Sequence, residues 1–102
     1  MQISVLTPDR AIFTGAIKSI TVPGAGGRFQ ILENHAPIVS ALAKGRVEIV
    51  TAAGEHELYN AEAGKSEKSS ATDRVIQFEV GGGFVEVLKN EISLLVQGVQ
   101  LS

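Results

Sequence analysis

The chain contains no cysteine. That absence excludes disulfides, thiolate zinc sites and cysteine nucleophiles together. There is no tryptophan, and Tyr59 is the one tyrosine. An aromatic binding platform is therefore missing. Positive charge is scarce: nine Lys and Arg stand against eleven Asp and Glu, a net charge of −2. The basic residues are interspersed with acidic ones, so no stripe exists to neutralise phosphates, which argues against nucleic-acid binding. Long apolar runs are absent as well, and a membrane span needs about 20 such residues. The stretch Met1 to Arg10 has no charged segment leading into an apolar one, and it is not rich in Arg and Ser. Neither a secretory signal nor a transit peptide is expected. These absences suit a bacterial-type cytoplasmic protein that meets a membrane only through another protein.

What is present is period-two alternation. Ile3 and Val5 alternate with Gln2 and Ser4; Val47 and Ile49 with Arg46 and Glu48. Ile76, Phe78 and Val80 oppose Gln77 and Glu79; Ile92, Leu94 and Val96 oppose Glu91 and Ser93. That period marks half-buried strands rather than helices. Turn residues punctuate the runs at Thr7-Pro8-Asp9, Pro23 to Gly27, Ala53-Gly54, Gly81-Gly82-Gly83 and Lys89-Asn90. Only Asn60 to Ala63 approaches a helical stripe, and Gly64 closes it. The spacing predicts an all-β fold, a two-sheet antiparallel β-sandwich of about ten short strands. A length of 102 residues suits one domain, expected over residues 1–102. Gly64 to Asp73 has no hydrophobic anchor and reads as an exposed, mobile loop. Gly54 to Glu57, which contains His56, reads as a hairpin. The three glycines Gly81 to Gly83 read as a hairpin turn, or as a place of close approach.

Several constellations could carry chemistry, and each meets a simpler reading. The turn Pro23 to Gly27 could cradle a phosphate. A dinucleotide fingerprint, however, needs a sixth-position glycine and then a helix, where this chain has Phe29 and a strand-like Arg28 to Leu32. The P-loop Lys-Ser/Thr is absent too, so a tight turn is favoured. Neither His35 nor His56 has a second histidine at ligand spacing, so no metal site is expected. A triad of His35, Ser40 and Asp73 lacks a nucleophile elbow. No cofactor is implied, and binding is favoured over catalysis. Pro37 suits the first residue of an edge strand. Ile38, Val39, Ala41 and Leu42 read as a buried or partner-covered run. The polar approach of Arg28, Gln30, Glu33, Asn34 and His35 beside that run points to a binding surface.

Six stretches then carry a resemblance: Ile3-x-Val5-Leu6-Thr7-Pro8, Ile12-Phe13-Thr14-Gly15, Ile20-Thr21-Val22-Pro23-Gly24, Gly27-x-Phe29-x-Ile31-Leu32-x-Asn34-His35-Ala36-Pro37, Gly45-x-Val47-x-Ile49 and Gly82-Gly83-Phe84-Val85-Glu86-Val87. Asn90-x-Ile92-x-Leu94-Leu95 ends the match. Together they resemble the N-terminal β-sandwich domain of the F-type ATP synthase epsilon subunit over nearly the whole chain. The resemblance implies a non-catalytic rotor subunit of the central stalk. It would link gamma to the c-ring beside alpha and beta, and couple proton-driven rotation to ATP synthesis. Its place would be peripheral, on the cytoplasmic face of the bacterial inner membrane, with contact to the membrane only through partners. By the same resemblance Arg28, Phe29, Gln30 and Glu33 would approach the c-ring, and Thr7, His35 and Ser40 would lie toward gamma. The alternative is a free-standing β-sandwich module for a peptide or carbohydrate.

Three departures from the family stand out. Family members often continue into a C-terminal helical hairpin that inhibits hydrolysis and, in some, binds ATP; this chain is expected to lack it, so neither property carries over. The family turn usually runs Gly-Glu-Leu/Phe-Gly, where this chain has Gly27-Arg28-Phe29-Gln30, a reversal of charge at Arg28. The Gly64 to Asp73 stretch is longer and more polar than the family's.

Overall fold

Alternation in sequence becomes alternation in burial. In β7 (Val75–Val80), Ile76, Phe78 and Val80 are buried and their neighbours exposed. In β9 (Glu91–Gln97), Ile92, Leu94 and Val96 are buried in the same way. The structure is a computed structural model that describes residues 1–101; Ser102, part of the expected domain, lies outside them. Eight further strands complete the fold: β1 (Gln2–Leu6), β2 (Ala11–Gly24), β3 (Gly27–Leu32), β4 (Ile38–Leu42), β5 (Gly45–Asn60), β6 (Lys65–Ser69), β8 (Gly82–Leu88) and β10 (Gln100–Leu101).

Two long strands hold the architecture together. β2 has 14 residues and β5 has 16, and they pair with each other along most of their length. Their register breaks between Gly15 and Ile17 and again before Ser19. On one side of the break they join β3 and β7, and β7 in turn pairs with β10; on the other they join β1 and β6. β9, β8 and β4 extend the β1 side, and β4 returns to β2 through the pair Gly24–Leu42. Every ladder is antiparallel except β1–β9, which is parallel. One hydrophobic cluster lies within, drawing Ile20, Val47, Ile49 and Phe78 from one layer and Ile3, Val5, Val85, Val87 and Leu94 from the other. Burying one such side chain is worth about 2 kcal/mol.

Three expectations are corrected. Gly64 to Asp73 is not all loop, because Lys65–Ser69 pairs with His56–Asn60 of β5. β6 shows no hydrophobic anchor because it is an outermost strand, held by backbone hydrogen bonds. Gly54 to Glu57 is not a hairpin: β5 continues through it, and Gly54 takes φ +116° where the register breaks. The bend carries His56 inside, where it is buried. Gly82 and Gly83 belong to β8 rather than to a turn. A Cβ on Gly83 would stand 2.0 Å from the Leu95 carbonyl oxygen, so close approach explains that glycine. The run expected to be buried or partner-covered divides: Leu42 is buried, while Val39 and Ala41 are exposed.

Candidate docking surface

The sheet of β4, β8, β9 and β1 has an apolar outer face. Cross-strand register places Leu6, Leu95, Phe84 and Ala41 in one row. The next outward row, Ser4, Ser93, Glu86 and Val39, adds a second apolar end. Val39 is 71% exposed, Phe84 57% and Leu95 51%. Leu6, Pro8, Phe84 and Leu95, with Thr7, Gly83, Val96 and Gln97, line a shallow pocket of about 410 Å³. Scattered apolar residues on a surface mean little, but a contiguous row with a pocket marks a binding site. Sequence reasoning missed Leu6, Phe84 and Leu95. Its available signal was the apolar doublets Phe84-Val85 and Leu94-Leu95, which make both faces of a strand apolar.

The residues singled out earlier frame this face. Thr7 closes the turn after β1. Its Oγ1 accepts from the Asp9 and Arg10 amides at 3.3 and 3.2 Å and donates to the Arg10 carbonyl at 3.1 Å. Arg10 lies 4.4 Å above the Tyr59 ring, which fixes the turn against β5. Ser40 sits in β4 between the exposed Val39 and Ala41, opposite Val85. Thr7 therefore borders the apolar rows, whereas Ser40, registered with the buried Val85, places its side chain on the inward face of β4.

His35 lies at the opposite end of the sheet from Thr7. Its amide donates to the Leu32 carbonyl at 3.2 Å, and its Nδ1 is 2.7 Å from the Ala36 carbonyl. The loop it occupies is fastened by Asn34 and Asn90. The Asn34 amide donates to Asn90 Oδ1 at 2.6 Å, and Asn90 Nδ2 donates to Asn34 Oδ1 at 2.9 Å. Both asparagines adopt positive φ, 65° and 61°, which asparagine tolerates.

Arg28, Phe29 and Gln30 lie on β3, with Arg28 and Gln30 exposed and Phe29 packed on the core. Glu33 is not beside Arg28. At about 3.3 Å per residue, the two are about 17 Å apart along the strand direction. Glu33 instead neighbours His35 and pairs with the Met1 ammonium at 3.6 Å.

No catalytic group assembles among the described residues. The triad members each have separate partners: Asp73 pairs with Lys18, His35 with the Ala36 carbonyl, and Ser40 with the Ala41 carbonyl. No cluster of His, Asp and Glu there could hold a metal ion. His56 is packed structurally, stacked on Phe13 at 5.5 Å, with its Nε2 3.2 Å from Arg74 Nη1. If Arg74 donates to Nε2, the ring proton sits on Nδ1, which is buried without a partner among the described residues. Burial first, and then the Arg74 charge, lower the pKa of His56 below its usual value.

The fold is thus a β-sandwich with one bare apolar face. Comparison with known proteins then names the family. Residues 1–75 match the ATP synthase delta/epsilon chain β-sandwich domain, and the chain belongs to that family. It is 33% identical over 97 residues to the ATP synthase epsilon chain of Chlorobaculum tepidum, covering 95% of this chain and 89% of that one. It is 36% identical over 95 residues to the epsilon chain of Leptospira interrogans, covering 93% of this chain but 59% of that longer one. Among solved structures, a chain of the Euglena gracilis mitochondrial ATP synthase shares the fold. The TM-score is 0.70 at 18% identity, over 97% of this chain and 51% of that one, so this chain spans about half its length. A chain of the Tetrahymena thermophila central stalk and c-ring assembly matches with a TM-score of 0.69 at 17% identity, over 98% of this chain and 65% of that one.

Proposed function

We propose that this chain is a non-catalytic rotor subunit of the ATP synthase central stalk, linking gamma to the c-ring and coupling rotation to ATP synthesis. Its family membership supports the reading, and the bare apolar face of Leu6, Leu95, Phe84 and Val39 carries it. Gamma docks on that outer face of β1, β9, β8 and β4, with the Leu6–Phe84–Leu95 pocket as its centre, Thr7 and His35 on its rim, and Ser40 contributing through the β4 edge rather than through the outer face. A few desolvated anchors within a polar rim give such a grip. Arg28, Phe29 and Gln30 of β3 approach the c-ring from another side of the sandwich, and Glu33, held by the Met1 ammonium, lies apart from that contact. A subunit under torque must not deform, and close packing resists deformation. The domain sits peripherally at the cytoplasmic face of the bacterial inner membrane, held there by its partners.

Affinity purification from native membranes in mild detergent tests this. Recovery of gamma, alpha, beta and c-type chains is the expected result. A protein recovered alone and monomeric would overturn it.

A further inference from the structure

Pro23 gathers three cations at one corner. Arg28 lies directly opposite it on β3. The Ala43 amide donates to its carbonyl at 2.7 Å, which brings Lys44 alongside, and its ring abuts Gly45, next to Arg46. Arg46 is offset by Glu79 at 3.6 Å. Arg28 and Lys44 are exposed, and neither has a carboxylate within ion-pair distance among the described residues. The Arg28 guanidinium is nonetheless held in place, because its Nη1 donates to the Arg46 carbonyl at 2.5 Å. One end of the guanidinium is thus tied, while the side chain as a whole is exposed.

We infer that this corner docks an acidic loop of the rotor ring, with Arg28 gripping a carboxylate and Lys44 beside it. The inference rests on the c-ring reading above and names the chemistry of the surface that meets it. A guanidinium fixed in advance loses little freedom on forming a two-pronged bond to a carboxylate. An anionic membrane fits less well. Polybasic lipid contacts use clusters of about 4–8 cations, whereas this corner has two uncompensated ones on a chain of net charge −2. Nor does the corner present an exposed large apolar side chain to insert, since Phe29 is half-buried against the core.

The test titrates the purified complex of this subunit with gamma onto solubilised c-rings as potassium chloride is raised. A carbodiimide, which joins amines to carboxylates without a spacer, supplies a second readout. The expected result is binding that weakens with salt, falls at least about tenfold in Arg28→Glu, and yields a cross-link from Lys44 to a carboxylate of the ring. Lys44→Arg should keep the binding and lose the cross-link. Rings that bind both wild type and Arg28→Glu equally, without salt dependence, would overturn the acidic loop and leave the c-ring reading standing. Failure of the wild type to bind rings at all would overturn both. Equal binding to ring-free vesicles of anionic lipid would replace the loop with the membrane surface.

Discussion

The β4–β8–β9–β1 sheet has two apolar faces with different fates. Inward, Val87, Ile92, Leu94, Val5 and Ile3 are almost fully buried in the common core. Outward, Phe84, Leu95, Leu6 and Val39 are much the same kind of residue and are left bare. Leu94 and Leu95 make the contrast sharpest: adjacent, chemically identical, one 0% and the other 51% exposed. The inner face stabilises the fold; the outer one has no intramolecular role of comparable size, which is what a docking surface requires.

Truncating each face in turn should separate the two roles. Leu94→Ala removes a fully buried side chain and leaves a cavity. It should cost about 3 kcal/mol of unfolding free energy, read by chemical denaturation. Phe84→Ala on the outer face should change that free energy by about 0.5 kcal/mol or less. It should instead weaken gamma binding by about 2 kcal/mol, read by calorimetry. Equal stability losses in the two variants would erase the distinction between the faces.

A smaller effect probes how the interior treats charge. Inside the fold His56 is held neutral, because its pKa is lowered by burial and by Arg74. The unfolded chain binds a proton near pH 6.5, and the folded chain does so only at lower pH. This contribution is therefore fully present above about pH 6.5 and is lost as pH falls below it toward the folded-state value. Denaturation midpoints measured from pH 7.5 down to 5.5 should decline in the wild type and decline less in His56→Phe, which keeps a ring against Phe13. Matching slopes would remove His56 as the cause.

Legibility in the sequence followed the same division. β7 and β9 were readable because one side of each strand is buried and the other wet, so the pattern is written in the residues. β6 was not, since an edge strand of Lys, Ser and Glu is held by its backbone, which every residue shares. Gly54 looked like a turn because a glycine among polar residues commonly is one; its partner strand β2 decides otherwise. The polar candidates Thr7, Ser40 and Arg28 stand out in sequence; the structure sets Thr7 beside the apolar face and turns Ser40 inward with Val85. That Glu33 lies with His35, far from Arg28, depends on the length of β3. The exposed rows were hidden because only the three-dimensional register aligns Leu6, Leu95 and Phe84.

The parallel ladder of β1 with β9 ties residues 2–6 to residues 91–95. The face that carries Leu6 beside Leu95 is therefore built from opposite ends of the chain. During synthesis, the first strand emerges long before its neighbour exists, and about 5–20 residues are added each second. Until β9 follows, the Leu6–Leu95–Phe84 row does not exist. The row is therefore a property of the folded sheet and is displayed by neither segment alone.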